Sequence, residues 1–214
     1  MLIDNEALGS WNYSCTKYGG IIEMTKSILL VGVGGQGTIL ASKLLTIGLM
    51  QSGYDVKMSE IHGMSQRGGS VSSQIRYGKN VQSPVIELGG ADMLISFEKM
   101  EALRWLEYMR PQGKVVVNDY EIKPMPVVSG TADYSEEIID ELKAKTSDIM
   151  VVDAFSKALA LGNPKVLNVV LLGTIIKMMG LTDVNWNEII ASEVKPQFVE
   201  INQKALAVGL ELVK

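Results

Sequence analysis

A single cysteine, Cys15, and a single histidine, His62, occur among the 214 residues. One thiol leaves no internal disulfide, no four-cysteine zinc site and no cysteine-ligated iron-sulfur cluster, and one imidazole removes the usual histidine-based metal clusters. A reducing cytoplasmic setting suits such a chain. Long apolar runs are missing too: no stretch reaches the roughly 18 apolar residues of a membrane span. The first 23 residues also lack the basic start and apolar run of a signal peptide. Positive charge is not in excess. With 20 basic against 24 acidic residues and a net charge of -4, neither nucleic acid nor an anionic membrane is the expected partner. What is present is ample apolar material: 47% hydrophobic residues with 21% charged, in a length that suits one domain.

The opening segment MLIDNEALGSWNYSCTKYGGIIE is mixed and aperiodic, and strand-like sequence begins abruptly at Ser27. Residues 1–23 therefore read as a disordered or non-native leader and residues 24–214 as a single domain. Cys15 falls in the leader, where only Lys17 would lower its pKa, and reads as an unimportant exposed thiol.

From Ser27 two kinds of segment alternate. SILLVGV, YDVKMSE, VSSQIRY, ADMLISF, KVVVND and DIMVVDA have strand character, with MPVVSG as a short edge strand. TILASKLLTIGLMQSG, EKMEALRWLEYMRPQG and SEEIIDELKAKTS have helical spacing, the last with acids at its start and lysines at its end, as the helix dipole prefers. After a short turn at 155–161 the rest is helical: VLNVVLLGTIIKMMG, WNEIIASE and KPQFVEINQKALAVGLELVK. The alternation predicts an α/β fold, a mostly parallel Rossmann-like sheet with helices on both faces and a helical C-terminal segment.

Two motifs carry chemistry. Gly32, Gly34 and Gly37 in GVGGQG form G-x-G-x-x-G after a strand and at a helix start, the context of a phosphate-binding turn. Glu60, ending the second strand, occupies the place of a ribose-binding acid. Three readings stand side by side: a dinucleotide loop, a loop for the phosphate of another ligand, and glycines that only let strand and helix pack. The second motif, EIHGMSQRGGSVSSQIRYG, puts His62, Gln66 and Arg67 in a glycine-rich segment at the carboxyl edge of the sheet, where open α/β sheets bind ligands. Arg67 before Gly68 and Gly69 suits a phosphate, a carboxylate or a partner's acidic group. His62 alone is more often a structural residue than a catalytic one, and Met64 is either core filler or an adaptable apolar contact.

GVGGQGTILASKLL, SEIHGMSQRGGSVSSQIRYG, SPVIELGGADMLISFEKMEALR and VLNVVLLGTI together resemble the gamma-type domain of the 2-oxoacid:ferredoxin oxidoreductases, from about Lys26 to the C-terminus. The HGMSQRGG form resembles the indolepyruvate-type branch rather than the pyruvate enzymes. The leader departs from the family, whose members usually begin near the position of Met24. The resemblance implies a small subunit that completes a large alpha subunit. That partner carries thiamine diphosphate and the iron-sulfur clusters, decarboxylates a 2-oxoacid, passes the acyl unit to coenzyme A and sends electrons to ferredoxin. It further implies that the isolated chain is inactive by itself, and it leaves open whether an unpartnered chain forms a homodimer through the vacant surface. By position, Gly34, Gly35, Gln36 and Gly37 match the glycine loop of the family, and Glu60, His62, Gly63, Met64, Gln66, Arg67, Gly68 and Gly69 its second signature. Ser83 and Pro84 match a third, and Glu98 follows the central strand. The glycine loop with Gln66, Arg67, Gly68 and Gly69 is then the candidate for coenzyme A phosphates, and Glu60, His62, Met64, Ser83 and Glu98 are candidates for a wall near the partner. A gamma subunit of a pyruvate or 2-oxoglutarate enzyme, or a stand-alone dinucleotide-binding protein, are the alternatives.

Other features have plainer readings. Met178 and Met179 suit a core, and Trp105 and Tyr108 a hydrophobic helix face or a subunit contact. Glu136, Glu137, Asp140 and Glu141 suit a solvated face. Asp119 and Asp153, at strand ends, are site candidates by position or simple caps.

Overall fold

The computed structural model describes residues 24–62 and 68–213. The leader with Cys15, and Gly63, Met64, Gln66 and Arg67 of the second motif, lie outside the described residues. The chain opens with β1 (Lys26–Val33), α1 (Thr38–Gln51), β2 (Asp55–His62) and β3 (Ser70–Gly78). It continues through β4 (Ala91–Ser96), α2 (Lys99–Arg104), β5 (Met109–Asn118), α3 (Met125–Val128), α4 (Ile138–Lys145) and β6 (Ile149–Val152). Four helices finish it: α5 (Ala154–Ala160), α6 (Leu167–Met179), α7 (Trp186–Glu193) and α8 (Pro196–Glu211).

The strands form one six-stranded sheet in the order β2-β3-β1-β4-β5-β6. β1, β4, β5 and β6 are parallel, whereas β3 runs antiparallel to both β1 and β2. The expected mostly parallel α/β sheet is thus observed, with one reversed strand inserted between β1 and β2. β1 is apolar on both faces because both are covered. Ile28 and Leu30 join α1, α6 and the following helices in one core, and Leu29 and Val31 join Ala102, Ile138 and Leu142 in the other. Each such buried aliphatic side chain contributes about 1.5–3 kcal/mol.

The C-terminal helices pack at unusually close range. A Cβ on Gly209 in α8 would stand 2.0 Å from the Val170 carbonyl oxygen of α6. Glycine here lets the two backbones touch, which seats α8 on α6 and α6 on the sheet.

Two expectations are corrected. Residues 125–130, read as an edge strand, begin with the helix α3, whose first turn accommodates Pro126 because the amide that proline lacks has no intrahelical partner there. The helix read over 98–113 stops at Arg104, passes through a 3-10 turn at Leu106–Tyr108 and gives way to β5 at Met109. The β4–β5 register shifts between Ala91 and Met93, so residues 110–113 bulge before the strand resumes.

Candidate functional site

β1 ends in a loop that turns directly into α1. Gly35 and Gly37 have φ of 104° and 82°, a region L side chains rarely adopt. Gly37 is also the N-cap of α1, which has no side-chain cap. A Cβ at Gly37 would come within 2.5 Å of Asn168 Nδ2 in α6, and that same nitrogen donates to the Gly37 carbonyl at 3.1 Å. The loop therefore rests on α6 and presents the first-turn amides of α1, which have no intrahelical acceptors.

Gln36 serves the fold rather than the surface. Its Oε1 accepts from the Val33 amide at 2.7 Å and its Nε2 donates to the Phe97 carbonyl at 2.9 Å. Its side chain is buried in this role, while the residue itself lines the groove beside the loop.

The two sequence motifs meet here. The Gly34 amide donates to the Gly69 carbonyl at 2.8 Å, and the Gly68 amide donates to the Gly34 carbonyl at 3.3 Å. The reversed β3 makes this junction, because it starts at Ser70 beside the end of β1, with Ser70 opposite Val33.

Beside the glycine loop opens a groove of about 540 Å³, walled by Gly34, Gly35 and Gly37 on one side and by Tyr120, Ile122 and Lys165 on the other. It lies beyond the carboxyl ends of β1, β4 and β5, where the chain order leaves β1 on both sides, the place where open sheets bind ligands. Lys165, Tyr120 and Ile122 were not singled out from the sequence. Asn163, whose side chain caps the Pro164–Val166 turn by accepting from the Lys165 amide at 3.0 Å, fixes the turn that carries the lysine. Asn-Pro-Lys before an apolar helix is the signal that would have found it.

The segment between β4 and α2 ties the walls together. Glu98, 1% exposed, caps α2 by accepting from the Glu101 amide at 3.0 Å; its other oxygen accepts from the Ile122 amide at 3.3 Å and the Tyr134 hydroxyl at 2.5 Å. Burial and the bond to Glu98 push the Tyr134 phenol above its usual range. Glu98, a candidate for the wall, is an internal brace that holds α2 to the segment following β5. Glu101, 3% exposed, accepts from the Ser70 hydroxyl at 2.5 Å, and Trp105 Nε1 donates to the same hydroxyl at 3.3 Å. Burial raises the Glu101 carboxyl above its ordinary value, opposed by Ser70, Arg104 and Trp105.

The remaining candidates scatter. Glu60 faces α1, with its Oε1 3.1 Å from the Ser42 hydroxyl, which also lies 2.9 Å from the Ile39 carbonyl. Because β3 separates β2 from β1, Glu60 stands two strand spacings away, about 10 Å, rather than on the adjoining strand as a ribose-binding acid does. The backbone of His62 ends β2 opposite Val71. Ser83 accepts from Arg76 through its carbonyl, and Arg76 pairs with Ser27 at the start of β1. Six residues, about 20 Å of strand, separate that point from the glycine loop, so Ser83 and its neighbour Pro84 do not share the groove. Asp153 caps α5 by accepting from the Ser156 amide at 2.9 Å, and Asp119 pairs with Lys99 at 3.6 Å.

A glycine loop opening a helix at the switch point of an open sheet, with a lysine across a groove, is an arrangement on which α/β domains in general hold anionic ligands. Residues 27–212 match the family described as pyruvate ferredoxin/flavodoxin oxidoreductase, and the chain belongs to it. It is 36% identical over 195 residues to the indolepyruvate oxidoreductase subunit IorB of Thermococcus kodakarensis, spanning 88% of this chain and 96% of that one. It is 38% identical over 192 residues to the subunit of the same name from Archaeoglobus fulgidus, spanning 87% and 94%. In fold it is similar to the crystal structure of the pyruvate oxidoreductase subunit PORC of Thermotoga maritima, with a TM-score of 0.66 and 22% identity over 87% of this chain and 96% of that one.

Proposed function

We propose that this chain is the small subunit of an indolepyruvate- or arylpyruvate-type 2-oxoacid:ferredoxin oxidoreductase and supplies the complex with a wall for coenzyme A. The near full-length similarity to subunits named for indolepyruvate oxidoreductase carries the assignment. A large partner subunit supplies thiamine diphosphate, the iron-sulfur clusters and the path to ferredoxin. The complex works in the cytoplasm, and among the described residues no helix is long and apolar enough to cross a membrane.

Within this reading the groove has a defined task. The first-turn amides of α1 and Lys165 face an anion from two sides, which suits the phosphates of coenzyme A. Gly68 and Gly69, joined to Gly34 by two backbone hydrogen bonds, bring the end of the second motif to the same wall. Tyr120 stacks on Phe155 with ring centroids 4.5 Å apart, giving the opposite wall a firm apolar base.

A substrate panel tests the assignment. The complex assembled with its large subunit is expected to reduce a viologen dye with indolepyruvate or phenylpyruvate at a kcat/KM about tenfold or more above that with pyruvate, within the range that one apolar pocket can discriminate. A preference for pyruvate or 2-oxoglutarate would overturn the arylpyruvate assignment.

A further inference from the structure

Two carboxylates in one helical turn, Glu98 and Glu101, are almost completely buried, and each reaches a different wall of the groove. Glu101 holds the Ser70 hydroxyl at 2.5 Å. Ser70 is continuous with Gly68 and Gly69, whose backbone clasps Gly34 in the glycine loop. Glu98 holds the Ile122 amide, and the next residue, Lys99, donates its amide to the Tyr120 carbonyl at 3.0 Å; Tyr120 and Ile122 form the facing wall. The short helix α2 is thereby a strut between the walls.

Burying two carboxylates in one turn is costly unless both are used. A neutral residue at position 101 would fill the space without that cost, so helix packing alone does not account for a glutamate there. Bonding to Ser70 does account for it, since a carboxylate accepts from a hydroxyl more strongly than a neutral group does.

We propose that Glu101 is a positioning residue for coenzyme A: through Ser70 it sets the glycine-loop wall of the groove, while Glu98 sets the facing wall. The proposal rests on the reading of the groove as the coenzyme A site. Glu101 touches no ligand in this scheme. Its effect passes through one hydroxyl and the two hydrogen bonds that join Gly34 to Gly68 and Gly69.

The ionisation of Glu101 bears on the same link. The groups that face it are Arg104, whose Nη1 lies 3.4 Å from its Oε1, Trp105 and Ser70, with Glu98 acting against its negative charge. Tyr134 faces Glu98 on the other side. As pH falls toward the raised pKa of Glu101, the carboxyl gains a proton, the charge-assisted bond to Ser70 weakens and the wall loosens.

The test uses the enzyme assembled with its large subunit. Glu101→Ala and Ser70→Ala are each expected to raise KM for coenzyme A about tenfold, with KM for the 2-oxoacid unchanged. The double variant is expected to be no worse than either single one, because both remove the same bond. Glu101→Gln, which keeps a weaker, neutral acceptor and cannot titrate, is expected to raise KM by less than Glu101→Ala does and to flatten its pH dependence on the acid side of neutrality. Should Glu101→Ala fail to assemble, Ser70→Ala probes the link from its other end. Lys165→Glu serves as the control for the groove itself. If it raises KM for coenzyme A while Glu101→Ala and Ser70→Ala do not, the positioning role is overturned. If it too leaves KM unchanged, the reading of the groove falls and the positioning role with it.

Discussion

Replacing Gly37 by alanine should destabilise the domain through two separable effects. The first is backbone strain: at φ 82°, a left-handed alanine costs about 1–2 kcal/mol. The second is steric. The new Cβ would meet Asn168 Nδ2 at 2.5 Å, and moving that side chain away breaks its 3.1 Å bond to the Gly37 carbonyl, a further loss of about 1 kcal/mol. Together these give about 2–3 kcal/mol, or a melting temperature lower by about 5–10 °C for a domain of this size. Asn168→Ala alone should cost about 1 kcal/mol by losing the same bond. In the double variant the clash is gone and the bond is counted once, so the total should again be about 2–3 kcal/mol, roughly 1 kcal/mol less than the sum of the singles. Urea unfolding of the four proteins, with equal m-values as a check, measures this coupling. Strict additivity would refute the claim that Asn168 holds the glycine loop.

Two further outcomes follow from the packing and the buried acid. Gly209→Ala should cost more than about 3 kcal/mol, because the obstacles are backbone atoms, the Val170 carbonyl oxygen and the Gly173 Cα, which cannot turn aside; a loss under about 1 kcal/mol by urea unfolding would show that α6 and α8 are not seated this closely. Glu101→Gln should gain stability relative to wild type as pH rises. The folded-state pKa of Glu101 is raised, so wild-type stability is fully present below the unfolded carboxylate value and is lost as pH climbs through the folded one. The amide carries no such dependence, and a stability difference that is flat with pH would contradict the burial of this acid.

Much of the fold was legible because burial leaves a pattern. β1 reads as a strand since Leu29 and Leu30 face opposite cores, and α6 as a helix because ten of its residues, from Leu167 to Ile176, are buried. The direction of β3 was not legible: Ser72, Ser73 and Gln74 are buried polar residues, and alternation has the same period whichever way a strand runs. Residues 125–130 misled because Val127 and Val128 favour strands, whereas the local turn set by Pro124 and Pro126 decided for a helix. The glycine loop could be read from spacing alone. Its facing wall could not, because Tyr120, Ile122 and Lys165 come from segments that only the sheet order brings beside Gly37. Gln36 and Glu98 stood out by their places in the motifs, but their bonds to buried backbone amides could not be read from spacing, because Gln36 spans to Phe97 and Glu98 to Ile122 only in the folded chain.

The proposed role of this chain is to complete a 2-oxoacid oxidoreductase by supplying the coenzyme A wall. The direct measurement is 2-oxoacid-dependent dye reduction by the large subunit, alone and with this chain added, at increasing coenzyme A. With that role, neither chain alone forms acyl-coenzyme A, and the two together show a saturable dependence on coenzyme A. Equal acyl-coenzyme A formation by the large subunit without this chain would contradict it.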